Sequence, residues 1–412
     1  MTAVNIRRDD PPRTIGEIGT FHAAAVYCGL KSEDPGRAQG DLALIWSERE
    51  CAAAGVFTRN KVAAAPVDIC RERLRSGSAR AIVVNAGNAN CCTGEQGRAD
   101  AKETARVVSE MLDCPEDEVL IASTGVIGRP LPMDKLRAGL SDMKAAVASG
   151  RREDVAAAIM TTDTVPKSVS VSASLGGISF SVAGIAKGAG MIAPDMATML
   201  SFVLTDLSVA PDVLQASLCE ACAQSFNRVT IDGDTSTNDT LIVMADGSAG
   251  NDELRSSSGE LHGAFSGALT AVCVELSKKI AADGEGAEHF VEVSVEGAAS
   301  EREATAAART IAESPLVKTA IAGNDPNWGR ILAAAGRAGI ELDPAKATVS
   351  VNGVEVFTKG EPRPENEELA GKALKREEVR ISVSLGLGSG AARIWTCDLT
   401  HGYIEINADY HT

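Results

Sequence analysis

Aromatic residues are scarce in this chain: three Trp, three Tyr and eight Phe among 412 residues. A folded core must therefore be built mainly from Ala, Val, Leu and Ile. Positive charge is also in deficit, since 40 Lys and Arg face 56 Asp and Glu and leave a net charge of −16. Such a surface repels phosphate backbones and anionic headgroups, which argues against nucleic-acid and membrane-surface partners. No run approaches the roughly 18 apolar residues that span a bilayer. The first dozen residues contain no apolar segment like that of a signal peptide. Ten cysteines (28, 51, 70, 91, 92, 114, 219, 222, 273 and 397) follow no framework spacing. They read as reduced thiols, and a cytoplasmic location is expected.

Several catalytic signatures are missing too. There is no Gly-x-Ser-x-Gly elbow, no Gly-Lys-Ser/Thr phosphate loop and no His in a triad-like setting. Cys219 and Cys222 have zinc-knuckle spacing, but they fall in a helical pattern without a second pair. Two small core side chains are the expected reading. Asp232-x-Asp234 resembles the start of a calcium loop, yet Thr237 and Val243 stand where Gly and Glu are required. Gly386-Leu-Gly388-Ser-Gly390 follows a strand without a helix after it, so a glycine hairpin is expected in place of a dinucleotide fingerprint. No metal and no cofactor is expected.

What remains is a globular composition, 44% hydrophobic and rich in Gly (39 residues), in a chain long enough for two domains. Apolar runs predict an antiparallel pair at 41–46 and 52–58, then strands at 81–85 and 119–122. Another hairpin is expected at 168–172 and 178–182, with strands at 199–204 and 241–245. Helical spacing predicts helices at 97–112, 133–140, 153–160, 211–226 and 259–282. Beyond 283, strands are expected at 289–295, 316–322, 346–351, 354–357, 379–385 and 392–396, with helices at 301–313 and 330–337. The class is mixed α/β, and a boundary is expected near Asp283-Gly-Glu-Gly286.

The most unusual stretch is Gly184-Ile-Ala-Lys187-Gly-Ala-Gly190-Met-Ile-Ala-Pro194-Asp-Met-Ala197-Thr198-Met-Leu200. Gly188, Gly190 and Pro194 fit neither a helix nor a strand, and an apolar strand resumes directly after Thr198. A lone Thr there is ordinarily just a strand start. It becomes a nucleophile if the chain is cut before it, because the new amine then serves as its base. The small Ala197 leaves its carbonyl open to attack by that hydroxyl. Ser123-Thr124-Gly125, at a strand end, could supply oxyanion donors, and Lys187 is an anion anchor or a solvated side chain.

These motifs occur in series with others: Ala54-Gly-Val-Phe-Thr58, Asn85-Ala-Gly-Asn-Ala-Asn90, Ser123-Thr-Gly-Val-Ile-Gly128, Met160-Thr-Thr-Asp-Thr164, Asp232-Gly-Asp-Thr-Ser-Thr-Asn-Asp239, Ser314-Pro-Leu-Val-Lys-Thr-Ala320 and Asp325-Pro-Asn-Trp-Gly329. In this order, from about Phe21 to Thr412, the chain resembles the ornithine acetyltransferase family, the bifunctional glutamate N-acetyltransferases of arginine biosynthesis. The resemblance implies a layered α/β sandwich, as in self-cleaving Thr-nucleophile acyltransferases, with an acyltransferase core over 1–282. A smaller α/β domain would cover 283–412, its tail returning to the active site. It implies cleavage between Ala197 and Thr198 into α and β chains, and a heterotetramer of two of each.

The activity implied is ping-pong transfer of acetyl from N2-acetylornithine to glutamate through an ester on Thr198, with acetyl-CoA as a further possible donor. Thr124 and Gly125 match oxyanion-hole positions; Thr161, Lys187, Thr198, Glu285, Asn407 and Thr412 match substrate-binding positions. The chain departs from the family pattern after Glu285-Gly286, where Ala287-Glu288-His289 stand in place of the usual Ala or Val, Thr and Lys. The alternatives are a Thr-nucleophile amidase or aminopeptidase-like hydrolase with water as acceptor, a paralogue acting on another amino acid, and a non-catalytic small-molecule binding protein.

Overall fold

A computed structural model describes residues 5–32, 40–149, 154–193 and 199–409. The first part holds β1 (Asn5–Arg8), β2 (Phe21–Val26), β3 (Leu42–Phe57), α1 (Ala65–Arg73), β4 (Ser78–Asn88), α2 (Gly94–Leu112), β5 (Val119–Val126), α3 (Met133–Ser149), α4 (Val155–Ala158), β6 (Lys167–Leu175) and β7 (Ile178–Lys187). β8 (Leu200–Thr205), α5 (Pro211–Gln224), β9 (Thr240–Ala245) and α6 (Glu260–Ala282) follow. The remainder comprises β10 (Phe290–Ala298), α7 (Glu301–Ala312), α8 (Pro315–Ala322), α9 (Trp328–Gly336), β11 (Thr348–Val351), β12 (Val354–Thr358), β13 (Glu361–Pro362), α10 (Glu367–Ala373), β14 (Glu378–Ser384), β15 (Gly390–Cys397) and α11 (His401–Asp409).

β1 to β9 form one sheet in the order β1-β6-β7-β8-β9-β3-β4-β5, with β2 beside β3. The hairpin expected around 175–177 is present, with β6 and β7 paired out to Leu175↔Ile178. The antiparallel pair expected at 41–58 is not. Those residues form the single strand β3, whose first half pairs β2 and whose second half pairs β9. Its register against β4 shifts between Trp46 and Cys51. The charged run Glu48-Arg49-Glu50 is exposed at that irregularity. A bulge kinks a strand without ending it, so charge there required no turn.

On β4 and β5, successive residues Ala81, Ile82, Val83, Val84 and Val119, Leu120, Ile121, Ala122 are all buried. Burial on both faces explains why these strands read as continuous apolar runs. They share a core with α1, α2 and α3, and with Ile185, Phe202, Ile242 and Met244 of β7, β8 and β9. The alternate residues Val182, Val203, Leu241 and Val243 face a second core formed with α5 and α6. The layers are thus helices, strands, strands and helices, the layered α/β class that the resemblance implies.

The second sheet has the order β13-β12-β11-β14-β10-β15. Its valines, among them Val291, Val293, Val379 and Val383, pack with Ala304, Ala308 and Ile311 of α7. Residues 316–322, expected as a strand, are helical as α8. Ser314 caps it by accepting from the Val317 N–H at 3.4 Å, Pro315 opens it, and Val317, Ala320 and Ile321 are buried at helical spacing. The expected glycine hairpin is also absent. β14 and β15 flank β10 on opposite sides, so the glycine loop crosses the end of β10, with Leu387 N–H and Gly388 N–H donating to the Gly297 carbonyl at 2.7 and 2.9 Å. Cys219 and Cys222 lie on α5, but only Cys222 is in the core; Cys219 is exposed. Among the described residues no helix is long and apolar enough to cross a membrane.

Candidate active site

The end of β5 carries Thr124 and Gly125 as strand residues. The β4–β5 ladder becomes irregular where Gly87 and Asn88 oppose them. Gly125 has φ +131°, and a Cβ there would lie 2.3 Å from the Gly87 carbonyl carbon, so only glycine fits. A buried amide network fixes this end. Ser123 Oγ donates to Asn85 Oδ1 (2.6 Å), and Asn85 Nδ2 donates to the Asn88 carbonyl (2.8 Å). Asn238 Nδ2 donates to the Ala89 and Ser123 carbonyls at 2.6 and 2.8 Å.

Lys187 is the last residue of β7, not part of the following loop. Its Nζ donates to Thr161 Oγ1 at 2.7 Å and to Thr124 Oγ1 at 3.1 Å. Both hydroxyls therefore accept from the ammonium and keep their own protons to donate elsewhere. Burial pushes the Lys187 pKa down, opposed by the charge of Asp163. Asp163 is buried as well; desolvation works against its charge, but Lys187, Lys167 and the Gly188 N–H outweigh that and bring it to about 2. Asp163 Oδ1 accepts from Gly188 N–H at 2.6 Å, and Oδ2 from Thr161 N–H at 3.1 Å.

Glu285 sits just past α6, its N–H donating to the Ala189 carbonyl at 2.8 Å. A Cβ on Gly190 would lie 2.2 Å from the Glu285 carboxylate, so that glycine lets the loop close over the charge. Asn407 Nδ2, on α11, donates to Glu285 Oε2 at 2.8 Å. α11 has no buried residue and is held from below: Thr400 Oγ1 donates to the Gly286 carbonyl at 2.5 Å. His289, where the family pattern has Lys, is tied down by Asp398, its Nδ1 2.8 Å from Asp398 Oδ2. It steadies the link between the Glu285 loop and α11.

Thr124, Gly125, Thr161, Lys187, Glu285 and Asn407 thus line one cavity of about 380 Å³. Met199 and Leu200 line an adjoining hollow with Thr124 and Lys187. Ala197, Thr198 and Thr412 lie outside the described residues. Asp232, a failed calcium ligand by sequence, accepts from Met191 N–H (2.6 Å) and Ile192 N–H (2.9 Å) and shapes the glycine loop. A larger cavity of about 620 Å³ contains none of these residues. Its charges partly satisfy one another, as in Arg8–Glu275 (2.5 Å) and Lys278–Glu275 (3.1 Å), so the smaller cavity is the better site.

Asp163, Lys167, Asp283 and Asn238 were not singled out from the sequence. Asp163 and Asn238 fall inside recognised motifs, Lys167 stands four residues after Asp163, and Asp283 was marked only as the start of the expected boundary.

A layered α/β scaffold with a buried cation and a carboxylate in one polar cavity is the framework of an enzyme acting on small charged molecules. A family model for ArgJ matches residues 22–412. The arginine biosynthesis bifunctional protein ArgJ of Geobacter sulfurreducens is 48% identical over 393 residues, covering 95% of this chain and 99% of that protein. Its counterpart from Dehalococcoides mccartyi is 47% identical over 392 residues, covering 95% and 96%. A crystal structure of ArgJ from Bacillus halodurans aligns with a TM-score of 0.48 at 42% identity, covering 50% of this chain and 96% of that one. The chain belongs to the ArgJ family, and its resemblance to the ornithine acetyltransferases is borne out.

Proposed function

We propose that the protein transfers acetyl from N2-acetylornithine to glutamate through an acetyl ester on Thr198, after the chain cuts itself between Ala197 and Thr198. The observation that carries this reading is a single cavity bearing a buried ammonium, Lys187, and a carboxylate, Glu285. Lys187 answers a substrate carboxylate and Glu285 a substrate amine. Met199, the residue that follows Thr198 in sequence, lines the adjoining hollow.

In this scheme the freed Thr198 amine takes the hydroxyl proton while Oγ attacks the acetyl carbonyl. The carbonyl oxygen, now an oxyanion, accepts from Thr124 Oγ1–H and Gly125 N–H. The C–N bond breaks, the proton passes to the leaving amine, and ornithine departs. The glutamate amine then attacks the ester, and Thr198 regains its proton as the C–O bond breaks. Acetyl-CoA can load the same Thr198. Asn407 and Thr412 bring the end of the chain to the substrate, the smaller domain at 283–412 serving the core at 1–282. The assembly in this reading is two α and two β chains in the cytoplasm.

Denaturing electrophoresis together with an acetylornithine–glutamate assay tests this directly. Two fragments should together account for the 42.6 kDa chain, and Thr198→Ala should remain whole and inactive. An active wild type that stays uncut, or turnover by Thr198→Ala, would overturn the scheme.

A further inference from the structure

Lys167 takes no part in the chemistry above, yet it is completely buried. Its Nζ donates to Asp163 Oδ1 at 2.7 Å and, through a shorter contact, to Asp283 Oδ2. The two carboxylates lead to different parts of the cavity. Asp163 holds the Gly188 and Thr161 N–H groups, and so the backbone on either side of the Lys187 ammonium and its Thr161 partner. Asp283 stands at the end of α6, two residues before Glu285, and also accepts from Thr164 N–H at 3.1 Å. The Lys167 ammonium thus ties together two carboxylates: Asp163, which binds the backbone beside Lys187, and Asp283, which precedes Glu285 by two residues in the chain.

A buried ion network is weak evidence for stability, because apolar side chains of similar volume often serve as well. What it does supply is fixed spacing, since each contact is directional and short. Building on the amino-acid substrate reading above, we propose that Lys167 is a positioning residue that sets the distance between the carboxylate-binding Lys187 and the amine-binding Glu285, and so the length of amino acid the site accepts. Substrates of this class differ by single methylenes between their charged ends, and a rigid spacer discriminates among them where a loose pocket does not.

The test is calorimetric binding of 2,4-diaminobutyrate, ornithine and lysine, three diamino acids of increasing length, to the full protein and two variants. Lys167→Arg keeps the charge but substitutes a longer, planar fork. The double variant Lys167→Met/Asp283→Asn removes one positive and one negative charge together. Wild type should prefer ornithine, and in the variants that preference should fall roughly tenfold to a hundredfold while melting temperature and cleavage are retained. Equal weakening of all three ligands, or unchanged ratios, would reject the spacing role while leaving the proposed function intact. A wild type that binds none of the three would refute the amino-acid reading and this role with it. If neither variant folds, the network is a folding device and the positioning role is rejected.

Discussion

At the Thr161–Lys187 end of the cavity the ammonium donates to two hydroxyls. Burial lowers its pKa, so the cation is lost at a lower pH than the ordinary 10.5 of lysine. KM for a carboxylate substrate should therefore rise on the alkaline side, and Lys187→Arg, which stays charged, should lack that limb. Lys187→Met should lower kcat/KM about a hundredfold, as loss of a buried charge-assisted contact does. Steady-state assays across pH check both points, and an alkaline limb persisting in the Arg variant would rule Lys187 out as its source. Asp163 makes a stability claim. Its folded pKa of about 2 lies below the ordinary 3.8, so its contribution is complete above about pH 4 and disappears as pH falls through 2. That difference is worth about 2 kcal/mol. Asp163→Asn should lose about that much at pH 7 and show a flatter acid limb in urea unfolding; an unchanged limb would show that the proton binds elsewhere.

At the scale of elements, α11 tests whether a helix can serve the site without serving the fold. No residue on it is buried, yet Asn407 touches Glu285. Removal of residues 401–412 should leave the melting temperature nearly unchanged and raise KM for the amino-acid substrates roughly tenfold, the effect of one lost charge-assisted contact. A collapse in melting temperature would show the helix to be structural instead. Helical periodicity in the sequence revealed α2 and α6, and continuous apolar runs revealed β8 and β9, which are buried along their whole length. Such patterns failed where local signals and tertiary context conflicted. The apolar content of Leu316-Val-Lys-Thr-Ala-Ile suggested a strand, and the Ser314-Pro315 cap that starts α8 was passed over. β3 continued through charges because Glu48, Arg49 and Glu50 are exposed at the irregularity in its pairing. The glycines at 386–390 looked like a hairpin because sequence does not show that β10 lies between β14 and β15. The site was legible through its motifs, whereas Asp283 and Lys167 act through a contact 116 residues apart that no local pattern marks.

For the whole molecule, the proposed cut and the sheet order have a joint consequence. Residues after 198 supply β8 and β9, which lie between β7 and β3 from before it. β8 pairs β7 from Val182↔Thr205 to Lys187↔Leu200, and β9 pairs β3 from Ala52↔Ala245 to Phe57↔Thr240. Separating the two pieces would break both ladders and open both cores, so they should co-elute in size exclusion without denaturant and part only on unfolding. Separation under native conditions would contradict this arrangement. The central claim is that Thr198 carries the acetyl group between donor and acceptor. The direct measurement is intact-mass analysis, with peptide mapping, of protein incubated with N2-acetylornithine in the absence of glutamate. One acetyl group should appear on Thr198 and vanish when glutamate is added. A protein that turns over the donor with no acetyl on Thr198, or with acetyl on another residue, would contradict it.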